Sequence, residues 1–236
     1  MELIKYKGFV LLKDNNWYIL MTSDFHLFHK NILIYEYEKR KDFIVKENNE
    51  INIEKSFIKF YNFLLDSLSE IINQYKITKF INCGDYIFNA NKKKIELYTK
   101  LLNYKKFYNL LENVEKIFIL WNHDVDYKWR SKEELILFLK NLWYNEVVYY
   151  YEYKNYIFTH MPIWQSLLKD LNIAFSIRGE FINIDKELIN KLKNNKYRII
   201  NFHWHLHSKD VDKKILKNNI KNVKDWINIS FDYNKN

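Results

Sequence analysis

Short apolar runs of β character alternate with longer stretches of helical periodicity along this chain. The runs cover residues 2–12, 17–22, 77–82, 115–120, 146–153, 155–159, 197–202 and 226–232. Helices are expected over 53–75, 92–112, 132–142 and 186–195. In the first of these, Phe57, Phe60, Phe63, Leu64 and Leu68 recur at spacings of three and four, which lines one buried face of a helix. The third opens Ser131-Lys132-Glu133-Glu134, an N-cap with a glutamate three residues on. Lys154 separates two runs closely enough for a tight hairpin. The alternation points to an α/β fold with helices covering the sheet faces. No linker, repeat or low-complexity tract interrupts the 236 residues, so a single domain over 1–236 is expected.

Composition narrows the class. With 48% apolar and 28% charged residues the chain has the material for a core and is not a disordered polymer. One cysteine, Cys83, excludes an internal disulfide framework and points to a reducing compartment. The opening Met-Glu-Leu-Ile-Lys-Tyr-Lys lacks an apolar signal core, and no apolar run is long enough to span a bilayer. A cytoplasmic protein without a membrane partner is expected. The net charge of +9 comes from 38 Lys+Arg against 29 Asp+Glu, and the arginines are only Arg40, Arg130, Arg178 and Arg198. Abundant Asn, Lys, Ile, Tyr and Phe beside scarce Ala, Gly and Pro is the mark of an AT-rich genome. The charge therefore speaks first to solubility and non-specific binding, and leaves a nucleic-acid partner open.

The seven histidines fall into four short clusters, each directly after an apolar run. Ile-Leu-Met-Thr-Ser leads to Asp24-Phe25-His26, with His29 just beyond; Ile-Phe-Ile-Leu-Trp leads to Asn122-His123-Asp124. Tyr-Ile-Phe-Thr leads to His160, and Arg-Ile-Ile-Asn-Phe leads to His203-Trp204-His205-Leu206-His207. A fifth junction without histidine, Lys-Phe-Ile-Asn-Cys, leads to Gly84-Asp85. Ligand sites in α/β sheets form outside the carboxyl ends of strands, so five such junctions can converge on one crevice. Carboxylate, imidazole and amide donors without thiolate suit a pair of divalent ions such as Mn, Fe or Zn. An i, i+2 spacing, as in Asp24/His26 and His205/His207, places both side chains on one side of an extended segment.

From Ser23 to His207, and on to Asp232, this ordered set resembles the calcineurin-like metallophosphoesterases. Thr22-Ser23-Asp24-Phe25-His26-Leu27-Phe28-His29-Lys30-Asn31-Ile32 is similar to the opening motif of a small bacterial and phage branch of that family. Ile227-Asn228-Ile229-Ser230-Phe231-Asp232 is similar to its last strand. The resemblance implies a two-sheet β-sandwich flanked by helices, a four-layer αββα arrangement with two metal ions at the sheet ends. It also implies that Asp24, His26 and His207 hold the first metal, that Asn122, His160 and His205 hold the second, and that Asp85 bridges them. His123 would donate a proton to the leaving group with Asp124 orienting it, and His29 and Asn31 would meet substrate or support the ligands. His203 is expected to support the ligands or pack and not to ligate, Cys83 to be a buried strand residue, and Arg130 and Arg178 to be solvated in preference to meeting phosphate.

The chain departs from that family at two glycines, which here are Trp121 and Trp204. Glycine serves where backbone turns tightly with positive φ and a side chain would crowd the site. Trp17 after Asn16 and Trp226 after Asp225 sit where Asn-Gly and Asp-Gly hairpin turns are favoured. Trp143 stands at a helix end where glycine is the usual terminator, and Trp164 lies in the loop after His160. Only 3 glycines occur, against roughly 17 at ordinary usage, beside 7 tryptophans. The expectation is that several of these are glycine in the organism, encoded by UGA and written as tryptophan.

The functional expectation is a dinuclear metal-dependent phosphoesterase acting on a phosphomonoester or phosphodiester through a metal-activated water. The alternatives are a nuclease acting on DNA or RNA, or a non-catalytic binding module on the same scaffold if Trp121 and Trp204 are genuine.

Overall fold

The computed structural model describes residues 2–35, 37–87, 92–120, 132–142, 144–160, 199–203 and 223–228. It is a mixed α/β structure whose described residues fall into two compact units, Met1–Val148 and Tyr149–Asn228. The expected helix 186–195 and the cap at Ser131 lie outside the described residues.

The first unit is built on a six-stranded sheet. Its strands are β1 (Leu3–Tyr6), β2 (Phe9–Asp14), β3 (Trp17–Thr22), β6 (Ile77–Asn82), β7 (Glu115–Ile119) and β8 (Glu146–Val148), in that spatial order. A small antiparallel pair, β4 (Lys46–Glu47) and β5 (Glu50–Ile51), lies apart from it. β1, β2 and β3 pair antiparallel, and β3, β6, β7 and β8 pair parallel. The run 2–12 is thus a hairpin and not one strand, because Lys7 (φ 46°) and Gly8 (φ 86°) take the two left-handed positions of a tight turn.

Helix α3 (Ile53–Gln74) carries the largest buried face, with Phe57, Phe60, Tyr61, Leu64, Leu68 and Ile71 all inside. The Asn52 side chain caps it by accepting from the Lys55 amide at 3.0 Å. The expected helix 92–112 is two helices, α4 (Lys92–Leu101) and α5 (Tyr104–Leu110), since Asn103 accepts from the Lys106 amide and starts a new one. Helix α6 (Lys132–Asn141) follows expectation. Two short helices, α1 (Ile32–Tyr35) and α2 (Tyr37–Arg40), follow the first histidine motif. Core aromatics interlock edge to face, as where Phe25 meets Phe9 at 6.1 Å and Phe60 at 6.0 Å.

The second unit holds a four-stranded sheet in the order β12 (Val223–Asn228), β11 (Ile199–His203), β10 (Tyr156–Thr159), β9 (Tyr150–Tyr153). β10, β11 and β12 are parallel, and β9 joins β10 through a tight hairpin with Lys154 at φ 56°. The single run 146–153 therefore feeds two sheets, β8 in one and β9 in the other. Among the described residues no helix is long and apolar enough to cross a membrane.

Two tryptophan expectations are corrected by the backbone. Trp17 pairs with Asp14 inside the ladder, while Asn15 (φ 58°) takes the left-handed turn position. Trp226 likewise lies within β12 opposite Asn201, not in a turn before it. Neither position demands glycine. At three left-handed turn positions, Asn15, Asn48 and Asn49, the chain uses asparagine, whose short polar side chain tolerates that region, and at Lys7 and Lys154 it uses lysine. Trp121, Trp143, Trp164 and Trp204 lie outside the described residues.

Candidate metal centre

The site begins where two neighbouring parallel strands end together. Thr22, the last residue of β3, is in register with Asn82, the last of β6. Beyond them the two chains leave the sheet side by side, joined by backbone hydrogen bonds. Cys83 donates to the Thr22 carbonyl (3.0 Å), Asp24 to Gly84 (3.2 Å), His26 to Asp85 (2.8 Å) and Leu27 to Tyr86 (2.9 Å). This extension of the ladder sets the Asp24-Phe25-His26 loop against the Gly84-Asp85 loop.

The backbone there is not extended, contrary to the simple i, i+2 reading. Asp24 (φ 57°), His26 (φ 48°) and Phe28 (φ 63°) are left-handed on one strand end, and Gly84 (φ 94°) and Asp85 (φ 52°) on the other. A left-handed conformation costs a non-glycine residue about 1–2 kcal/mol, so each is held there by its surroundings. Phe25, between the first two, is fully buried against Phe9, Phe60 and Tyr86. The expected pairing of Asp24 with His26 is met, by alternate left-handed residues around a buried aromatic anchor.

Asp24, His26 and Asp85 are all buried, and their ligand atoms lie within 4.8 Å of one another. His26 Nε2 is 3.4 Å from Asp24 Oδ1 and 3.6 Å from Asp85 Oδ2. Two donors each about 2.0–2.2 Å from one ion can lie at most about 4.4 Å apart, so both histidine separations suit a shared cation. Two carboxylates removed from water in one place need positive charge beside them. The oxygen and imidazole donors are those that Mn, Fe and Zn accept, and the residues present fit such an ion. Burial, with the Asp24 charge adding to it, pushes the Cys83 thiol pKa well above its ordinary value. Its Sγ lies 3.7 Å from the Ile81 carbonyl oxygen in a fully buried position.

Two residues that sequence reasoning passed over bind the Asp24-Phe25 segment. The Ser23 hydroxyl donates to Asp24 Oδ2. Arg40 is fully buried; its Nη2 donates to the Asp24 carbonyl (2.7 Å) and its Nη1 to the Phe25 carbonyl (2.9 Å). Its guanidinium also stands 5.1 Å from the centre of the Phe60 ring. A signal for it was present: in a chain whose cations are nearly all lysine, an arginine soon after the histidine motif marks a place where a two-pronged donor fits.

The other expected site residues divide three ways. His29 stands next to His26, ring centres 5.7 Å apart, and is half-buried. Asn31 is exposed just before α1, and its carbonyl accepts from the Ile34 amide at 3.0 Å. His160 belongs to the second unit, where it directly follows β10 and is fully buried. The strand β11 next to it ends at His203. Asn122, His123, Asp124, His205 and His207 lie outside the described residues, as do Arg130 and Arg178. Compared with known proteins, the chain matches no family model and no curated protein.

Proposed function

We propose that this chain is a cytoplasmic dinuclear metal-dependent phosphoesterase that hydrolyses phosphomonoester or phosphodiester bonds. The observation that carries the reading is the buried Asp24, His26 and Asp85 group at the ends of two adjacent parallel strands. A two-sheet αββα sandwich in four layers is part of the same proposal, as is the ligand set taken from the resemblance. Asp24, His26 and His207 would hold one ion, Asn122, His160 and His205 the other, with Asp85 shared between them. Divalent ions so held would supply Lewis-acid polarisation of a phosphoryl oxygen and an activated water. The chain's own residues do the rest. His123 holds the proton that the leaving oxygen needs, and Asp124 orients that imidazole and raises its basicity. His29, beside His26, and Asn31, at the exposed start of α1, bind and orient the phosphoester.

The test is a Mn²⁺ titration with bis(p-nitrophenyl) phosphate, run on the protein as written and on a Trp121→Gly, Trp204→Gly form. Mn²⁺-stimulated turnover that disappears in Asp85→Asn is expected. Equal rates for Asp85→Asn and its parent would reject the site, and no turnover from the glycine form would reject the enzyme. The +9 charge favours a second reading, a nuclease, which preferential cleavage of DNA or RNA over small phosphoesters would promote. Binding without turnover in every form would leave the non-catalytic module.

A further inference from the structure

The first histidine motif poses a mechanical problem. Two of its ligand residues, Asp24 and His26, hold left-handed backbone on either side of Phe25. Their amides are tied to the neighbouring loop, Asp24 to Gly84 and His26 to Asp85. That fixes the N–H of the Ser23–Asp24 and Phe25–His26 peptides. The Asp24 and Phe25 carbonyls are buried, and a buried C=O needs a donor. Arg40 supplies it from outside the motif, at the end of α2. Its two terminal nitrogens reach two successive carbonyls, those of Asp24 and Phe25, at 2.7 and 2.9 Å.

We propose that Arg40 is a positioning residue for the metal centre, its guanidinium fork clamping the Asp24 and Phe25 carbonyls so that the Asp24 carboxylate and His26 imidazole stay aimed at Asp85. The inference rests on the metal-centre reading for its consequence but not for its geometry. Three features favour this role over plain core filling. The contacts run to the two peptides that join the ligand residues. A planar fork satisfies both carbonyls in one fixed geometry, which a lysine ammonium on a flexible stem does not reproduce. The fork is itself set: Arg40 is buried, and its guanidinium lies over Phe60, whose ring also meets Phe25. One aromatic wall thus backs both the clamp and the residue between the ligands. Outer partners of this kind, when removed, typically cost 10–100-fold in metal affinity.

The experiment compares Arg40→Lys, Arg40→Gln and Phe107→Leu with the wild-type chain. Phe107 is a buried aromatic whose ring stacks on Tyr61 and meets Phe80 and Tyr108, all outside the motif, so its variant reports general destabilisation. Two quantities are read on protein that circular dichroism shows to be folded: Mn²⁺ affinity, from the free-ion EPR signal, and hydrogen exchange at the His26 and Leu27 amides. The Arg40 variants should bind Mn²⁺ about 10–100-fold more weakly and exchange those two amides faster, with α3 amides unchanged. Phe107→Leu should lower Tm and leave both readings alone. Wild-type affinity and exchange in folded Arg40→Lys and Arg40→Gln overturn the inference. So does an equal loss in Phe107→Leu, or failure of both Arg40 variants to fold, which would assign the clamp to stability alone. If the wild-type chain binds no Mn²⁺, the metal reading fails by itself, and the amide exchange alone decides whether Arg40 positions the loop.

Discussion

Replacing Asp85 by Asn tests the metal centre through two effects of opposite sign. The substitution keeps the side chain's shape and removes one of two carboxylates that are buried with ligand atoms within 4.8 Å. At an effective dielectric of 20, two unit charges at that limit repel by about 332/(20 × 4.8), or roughly 3.5 kcal/mol. Part of this is offset by the His26 imidazole, 3.4 and 3.6 Å from the two carboxylates, and by the Ser23 hydroxyl on Asp24. A net relief of about 1 kcal/mol is the expected remainder, which for a chain of this size raises Tm by about 2–4 °C in chelator. With Mn²⁺ the order reverses. At a hundred times its Kd the ion stabilises the wild-type chain by about 2.7 kcal/mol, or roughly 5–11 °C, and the variant should lose most of that gain. Differential scanning fluorimetry with EDTA and with Mn²⁺ measures both. Curves that cross are expected. A variant that is less stable in EDTA and gains as much from Mn²⁺ as the wild-type chain would refute the reasoning.

Three further outcomes follow from the same structure and a fourth from the sequence. Burial, first among the causes, raises the pKa of Tyr61, Tyr86, Tyr98, Tyr108 and Tyr144, so above a pH of about 10 the unfolded chain sheds protons that the folded one keeps. Stability should then fall by about 1.4 kcal/mol per pH unit for each phenol, less steeply in Tyr98→Phe, and urea melts that are flat from about pH 9 to 12 would contradict this. Leu64→Ala, at a fully buried position on α3, should cost about 2–5 kcal/mol in chemical denaturation. Asn52→Ala removes the cap of α3 and should cost about 1 kcal/mol by the same assay. Sequencing the gene should find UGA at codons 121 and 204, and UGG at either would remove the case for glycine there.

Much of the fold was legible because local pattern and tertiary need agree in this chain. The expected runs 17–22 and 77–82 are β3 and β6 to the residue, and 53–75 is α3 within one residue of its end. Those segments carry unbroken apolar periodicity. The errors fall where a turn hides inside a pattern: Lys7–Gly8 splits an apolar run into a hairpin, and Asn103 splits one helix into two. Trp17 and Trp226 lie in strands and not in turns because a dipeptide signal does not say where the ladder begins. The chain reaches several left-handed turns with asparagine or lysine, so scarce glycine does not mean missing turns.

Sequence alone picked out three of the residues whose donors the structure groups together. Asp24, His26 and Asp85 were identified by type and by their place after apolar runs, with no knowledge of their distance from one another. Only the tertiary structure brings them together, because proximity between residues so far apart in the chain depends on which strands become neighbours. That is decided by β3 and β6 pairing in parallel with Thr22 opposite Asn82. The structure also decided the backbone route, a series of left-handed residues where an extended strand end was expected. It decided the part played by Arg40, too. A side chain that binds two backbone carbonyls leaves no partner residue type to find in the sequence, since every residue has a carbonyl.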